Sequence, residues 1–176
     1  IVGGGIAGVS TAFFTLRNTD KRVVLLEGKR LGHGATGHNA GQITSYFERP
    51  FNELVGEFGL EMAAEGQRAI ENAWGLLDHM YKEAGLDIPF SRFTGYAGFS
   101  NYDQLLSVLK NNVLREEGGL APVKLLIADN VPFKDDIPAE YKKFYSLVSP
   151  GEISTKLDTT NTEFIALAET QKGVIN

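Results

Sequence analysis

The chain opens on an apolar pair, Ile1-Val2, followed at once by three glycines and then by IAGVSTAFFTLR, whose apolar residues recur at helical spacing. The polar stretch NTDK breaks that pattern, and RVVLLE restores a continuous apolar run ending in a carboxylate, Glu27. A short unbroken apolar run bounded by turn residues predicts a strand buried on both faces, as in a parallel sheet. Residues 1–27 therefore read as strand, turn, helix, strand. Between Gly28 and Ile43 the periodicity disappears, and Gly28, Gly32, Gly34, Gly37 and Gly41 interrupt GKRLGHGATGHNAGQI. So much glycine disfavours a packed helix, because each loses more backbone freedom on ordering than any other residue. The segment is predicted as a loop whose backbone groups are its functional part.

Helical periodicity returns over Asn52–Ala84, with a break expected near Gly59 and with Ile70, Trp74, Leu77 and Tyr81 on one face. FSRFTGYAGFS has the composition of a strand or hairpin. A helix follows, capped by Ser100 or Asn101, with Tyr102, Leu105, Leu109 and Val113 on one face and Gly118-Gly119 as its stop. VKLLIAD reads as a strand. The prolines and charges of Asn130–Ser149 predict an irregular surface segment. A last helix is expected to start at Thr160 or Asn161, to run through EFIALAETQ and to stop at Gly173. There are no internal repeats and no low-complexity tracts.

The 176 residues suit one domain, or one lobe with part of another. With 43% apolar and 22% charged residues the balance is that of a globular protein. A net charge of −5 argues against a nucleic-acid partner, which needs a basic face, yet leaves room for one bound nucleotide. The absence of cysteine excludes thiol catalysis, cysteine-ligated zinc, iron–sulfur ligation and disulfides within these residues, and fits a reducing cytoplasm. No apolar run approaches the ~20 residues of a membrane span.

Against that background Gly3, Gly5 and Gly8 form G-x-G-x-x-G between a predicted strand and a predicted helix. The three positions serve a tight turn, close approach of backbone to a pyrophosphate, and close packing of helix on strand. The helix start, Ile6 and Ala7, offers N–H groups and the positive end of the helix dipole to the phosphates. Glu27, 19 residues after Gly8, ends the second strand where a carboxylate reaches the ribose hydroxyls of adenosine and disfavours a 2′-phosphate. Together these residues predict a dinucleotide site. The fingerprint alone does not separate NAD from FAD. The second glycine-rich loop, where a nicotinamide dehydrogenase would place another helix, favours a cofactor that runs along the backbone of that loop.

The segment VGGGIAGVSTAFF…VVLLEGKRLGHGATGHNAGQ resembles the D-amino-acid-oxidase-like superfamily of FAD-dependent oxidoreductases, closely over residues 1–43. The resemblance implies an α/β fold: a Rossmann-like FAD/NAD(P)-binding domain with a central parallel sheet, plus partial α+β substrate-domain elements. It implies that 1–90 is the N-terminal part of the FAD domain with its long helices. Residues 91–176 would then be an incomplete strand and helix segment leading into a substrate domain and back. By the same resemblance the chain is expected to be a fragment of a polypeptide more than twice as long. FAD is the implied cofactor, lined by Gly28, Ala35, Thr36, Gly37, Asn39, Ala40, Gly41 and Gln42, the last two nearest the flavin ring. Lys29 and Arg30 would touch adenine or a phosphate, or remain a solvated pair. His38 stands in register with the flavin-linking histidine of WHAAG in the dimethylglycine and sarcosine dehydrogenase branch. It would either carry a covalent flavin or, the preferred reading, hydrogen-bond cofactor or neighbouring backbone.

The implied activity is oxidation of a C–N bond in a small amine or amino-acid substrate by hydride transfer to the flavin, with dioxygen or an electron carrier as acceptor. The alternatives are a flavin dehydrogenase acting on a C–O bond and a non-catalytic dinucleotide-binding subunit. An oligomer remains open. No catalytic residue is assigned: Arg68, Arg92 and Arg115 are available cations outside any motif. Tyr96, Tyr102 and Tyr145 read as packing residues, and His33 and His79 as surface or packing residues. Asp135-Asp136 and Glu116-Glu117 read as solvated. The spacing from Asp158 to Glu163 reads as helix capping, and no metal site is expected.

Overall fold

The computed structural model describes residues 1–87 and 90–175, those at 90, 171 and 173–175 by backbone alone. The chain divides into two compact units, Ile1–Gln42 and Ile43–Asn176. The helices of residues 51–83 lie within the second of these units.

In the first unit, helix α1 (Ile6–Asn18) follows the glycine turn as expected. The predicted strand pair is reduced to a parallel bridge between Val2 and Leu26. Three hydrogen bonds hold it: Gly3 N to Leu26 O (2.8 Å), Leu26 N to Ile1 O (2.9 Å), and the amino terminus to Val24 O (2.8 Å). The expected burial of RVVLLE is not found, since Val24 is 64% and Leu26 60% exposed. A parallel strand is buried only when layers cover both its faces, and this unit supplies one helix.

The second unit is a mixed α/β assembly. Strands β1 (Gln42–Thr44), β2 (Phe90–Phe99), β3 (Leu125–Ala128), β4 (Tyr145–Val148) and β5 (Ala166–Ile175) share one sheet, ordered β1-β5-β3-β4 with β2 also on β5. Strand β2 pairs antiparallel with β5 from Phe90↔Ile175 to Phe99↔Ala166. Strand β3 is antiparallel to β5 (Leu126↔Leu167) and parallel to β4 (Leu126↔Ser146). The expected central parallel sheet is thus a mixed one. FSRFTGYAGFS is a single strand rather than a hairpin.

Strand β5 replaces the helix expected from Thr160 or Asn161. Ala, Leu, Glu and Gln are good helix formers, but Ala166, Leu167 and Ala168 are consecutive and all buried. Burial without alternation marks a strand covered on both faces. Asn161 caps no helix: its Oδ1 accepts from Glu163 N (2.9 Å) in a local turn. Asn130–Ser149 is likewise not a surface excursion. It contributes β4 and buries Val131, Ile137 and Phe144 in the core. Helix α6 (Pro150–Leu157) begins on a Ser149 cap that accepts from Glu152 N (3.2 Å).

The long helical stretch is three helices, α2 (Phe51–Phe58), α3 (Leu60–Glu71) and α4 (Ala73–Glu83). Gly59, with φ +81°, makes the expected break. The second break, at Asn72, has no glycine to announce it. Trp74 is buried, and Ile70 of α3 and Leu77 and Tyr81 of α4 are half-buried. Helix α5 (Tyr102–Glu117) keeps its predicted limits: Asn101 Oδ1 accepts from Gln104 N (3.0 Å), and Gly118 and Gly119 end it. Leu105 and Leu109 pack with Leu125, Ile127, Ile153 and Leu167 in the main core. A smaller cluster joins Phe51 and Leu54 to Ala63, Ala64 and Leu120.

Asn112 of α5 has no exposed surface. Its side chain donates to Val123 O (2.8 Å) and accepts from Val123 N (2.7 Å), pinning the entry to β3. Asn112→Leu would strand both backbone groups in the core. Each such orphan costs about 1–3 kcal/mol, so a fall in Tm of roughly 5 °C or more is expected by calorimetry.

Candidate functional site

The predicted cofactor residues lie in the first unit, and local bonds join the two glycine loops to each other. Gly3 turns the chain with φ +98°, a conformation that L side chains rarely adopt. Gly8 is required by crowding: a Cβ there would overlap the carbonyl oxygen of Gly3, where helix meets strand. Gly5 precedes α1 and caps it with no side chain. The helix start is instead closed from the second loop, where Thr36 Oγ1 accepts from Ile6 N (3.0 Å).

Two further links tie the loops. Gly32 N donates to Gly4 O (3.0 Å). Gly4 N donates to Glu27 Oε2 (2.7 Å), and Lys29 N donates to Glu27 Oε1 (2.8 Å). The bond from Gly4, followed by that from Lys29, holds the Glu27 carboxyl below its ordinary value, although the residue is exposed. Hydrogen bonds to the charged form stabilise it. Each oxygen of Glu27 keeps lone-pair capacity beyond its backbone partner, so the carboxylate can still receive hydroxyl groups.

The second loop folds on itself. Residues Ala35–Gly37 form one 3₁₀ turn, and a Cβ at Gly37 would overlap the carbonyl oxygen of Gly32. Asn39 Nδ2 donates to Ala35 O (3.0 Å) and Thr36 O (2.9 Å), while its Oδ1 accepts from Gly41 N (2.7 Å). Gly41 takes φ +66° just before Gln42. His38 Nδ1 lies 2.8 Å from Gly34 O. A carbonyl only accepts, so Nδ1 carries the proton and Nε2 faces away from that bond. His33 and His38 meet edge to face, with centroids 5.9 Å apart. Lys29 Nζ lies 3.5 Å from His33 Nε2. Arg30 accepts at its carbonyl from His33 N (3.2 Å). Sequence reasoning passed over Gly4, Gly32 and His33, although the run of three glycines at 3–5 was a visible hint for the first.

The other candidates lie in the second unit and serve the fold. Arg92 pairs with Asp78 (2.7 Å) and covers the Trp74 ring. Arg115 pairs with Glu71 (2.8 Å), and Arg68 donates to Gly118 O (2.8 Å). Tyr102 packs on Phe133, with centroids 4.8 Å apart, and Lys156 lies over Tyr96. Burial, then the charge of Asp135, pushes the Tyr145 phenol up. His79 is exposed. Glu116 is exposed, as expected, and pairs with Lys143 at the surface. Asp158 ends α6 at φ +50°. Among the described residues there is no group of three His, Cys, Asp or Glu that could hold a metal ion, and no helix long and apolar enough to cross a membrane.

The chain is similar to the YhfW protein of Bacillus subtilis (strain 168), provisionally named a Rieske 2Fe-2S iron-sulfur protein. Identity is 30% over 101 residues, covering 57% of this chain and 20% of that protein. It is similar to the gamma-glutamylputrescine oxidoreductase of Escherichia coli (strain K12), 36% identical over 63 residues, covering 36% of this chain and 15% of that one. OrdL of Haemophilus influenzae (strain ATCC 51907 / DSM 11121 / KW20 / Rd), provisionally named an oxidoreductase, is 36% identical over 63 residues, covering 36% and 14% of the two chains. The matched segments thus span no more than a fifth of these relatives. No solved structure matches. The model of the DAO family, FAD dependent oxidoreductase, matches residues 1–144, most of the chain, and the chain belongs to that family.

Proposed function

We propose that the chain supplies the FAD-binding part of an enzyme that oxidises a C–N bond in a small amine or amino acid. The observation that carries the reading is the joining of both glycine loops into one surface by the Gly4–Glu27, Gly32–Gly4 and Ile6–Thr36 bonds. In this reading residues 1–90 open a Rossmann-like domain and 91–176 lead towards a substrate domain and back.

Gly3, Gly5 and Gly8 give a pyrophosphate access to backbone at the start of α1, where the N–H groups of Ala7 and Gly8 and the helix dipole favour an anion. Thr36 accepts from Ile6 and so has its own O–H left to donate to a phosphate oxygen. Glu27 receives the ribose hydroxyls on the lone pairs that Gly4 and Lys29 leave over. Gly28, Lys29 and Arg30 flank the adenosine. Ala35, Thr36, Gly37, Asn39, Ala40, Gly41 and Gln42 run along the cofactor towards the ring, and His38 turns Nε2 outward. When bound, the flavin supplies a hydride acceptor for the carbon beside the amine.

The likeness to a protein provisionally named for a Rieske cluster favours an electron carrier as acceptor over dioxygen. The 176 residues hold no cysteine, so such a cluster would take its thiolates from elsewhere.

The test is anaerobic mixing of the complete FAD-loaded polypeptide with small amines, amino acids and secondary alcohols, followed by flavin absorbance. Bleaching by amines or amino acids alone is expected. Bleaching by alcohols alone contradicts the C–N reading, and no bleaching by any of them contradicts the enzymatic one. Flavin released by acid precipitation would exclude a covalent link at His38.

A further inference from the structure

His33 has no place in the reading above, yet it holds a polar atom for which the fold provides no partner. Its Nδ1 is buried and without a hydrogen-bond partner among the described residues. Its Nε2 lies 3.5 Å from the Lys29 ammonium. An ammonium only donates, so Nε2 is the acceptor and the ring is neutral, with its proton on Nδ1. The orphan is therefore an N–H donor seeking an oxygen or a ring nitrogen. Buried polar groups in native proteins almost always have partners, and one without points to a missing water, ion or ligand.

The position narrows the choice. His33 follows Gly32, whose N–H is bound to the Gly4 carbonyl, so the ring stands beside the junction of the two loops. Glu27 and Lys29 mark the adenosine side of the site, and the ring edge meets His38 on its other flank. A side chain kept for packing alone would be better served by an apolar residue of the same volume, which leaves no donor unmet.

We propose that His33 is a cofactor-contacting residue whose Nδ1–H donates to an oxygen of the adenosine diphosphate half of the dinucleotide. The assignment rests on the dinucleotide reading under Proposed function and adds to it a specific contact and a half of the cofactor.

The 176-residue chain is titrated with ADP, FAD and FMN, before and after substitution. His33→Phe keeps an aromatic ring without the donor. It is expected to weaken ADP and FAD binding roughly tenfold, the worth of one recovered hydrogen bond. FMN, which lacks the adenosine half, should be unaffected. In the absence of ligand the same variant should melt no lower than the wild type, because it removes an unmet donor. His33→Asn, whose Nδ2 can stand where Nδ1 does, should recover most of the lost affinity. In the unsubstituted chain the His33 Nδ1 proton resonance should shift on adding ADP. Equal affinities of His33→Phe and wild type for ADP and FAD, or an Nδ1 resonance unmoved by saturating ADP, would overturn the assignment while leaving the dinucleotide reading intact. A wild-type chain that binds neither ADP nor FAD would overturn both.

Discussion

Replacing Gly8 with alanine is expected to abolish FAD retention, with a loss of affinity of at least about a hundredfold, because the added methyl has nowhere to go. Its Cβ would overlap the carbonyl oxygen of Gly3, a backbone atom on the turn that the site is built around. A flexible side chain could swing aside, but a carbonyl moves only with the peptide. Either α1 shifts away from the strand or Gly3 leaves its φ of +98°. Both outcomes turn the Ala7 and Gly8 N–H groups away from the phosphate path, and losing two charge-assisted bonds is enough to cost about a hundredfold. Overpacking in a tight contact costs about 1–3 kcal/mol in addition. Gly56→Ala, in α2 and outside the site, is the control: its Cβ meets no atom within 4 Å, and affinity within roughly threefold of the wild type is expected. Flavin fluorescence titration of both variants makes the comparison. Tight binding by Gly8→Ala would mean that helix and strand need not pack closely here.

The second large effect is expected at Glu27. Its carboxylate holds Gly4 N and Lys29 N, linking both loops, and in the proposed reading it also receives ribose hydroxyls. Glu27→Ala removes all of these and should weaken FAD by at least roughly a hundredfold, about tenfold for each of the two ribose bonds lost, before the cost of loosening the loops. Glu27→Gln keeps one acceptor oxygen and should fall in between. The bonds to backbone N–H groups lower the folded-state value of the Glu27 carboxyl. Its contribution to loop stability is therefore complete above the ordinary carboxylate range near pH 4.3 and is lost as pH falls through the depressed folded value. The difference in affinity between the wild type and Glu27→Gln should stay constant between pH 8 and 5 and shrink below that range. A wild-type affinity already falling between pH 7 and 5 would assign the transition to another group.

Much of this site could be read from the residues because its requirements are local. Gly3 needs a positive φ, Gly8 a missing Cβ, and Glu27 a fixed place at the end of a strand. Caps are equally local, and the limits of α5 at Asn101 and Gly118 follow directly from them. Ser149-Pro150, with Glu152 beyond, carried the same kind of signal for α6 and was passed over. What stayed hidden depends on contacts between distant segments. Ala166–Ala168 become strand because β2 and β3 pair on either side, against the helical preference of Ala, Leu and Glu. Phe144 and Ile137 are buried by a core that their charged neighbours conceal. Thr36 looks like one small polar residue among several in a glycine-rich loop. Its bond to Ile6, 30 residues away, is set by how that loop folds back. The orphan nitrogen of His33 is likewise a property of packing.

The central claim is that residues 3–8 and 27–42 form a single FAD site. Its most direct test is a backbone NMR titration of the 176-residue chain with FAD. Saturable shifts are expected at Gly3–Gly8 and at residues 27–42, including the amides of Gly4, Ile6 and Gly32 that tie the loops together, with the sheet core around Leu126 and Leu167 unmoved. Shifts confined to the second unit, or none at millimolar FAD, would contradict it.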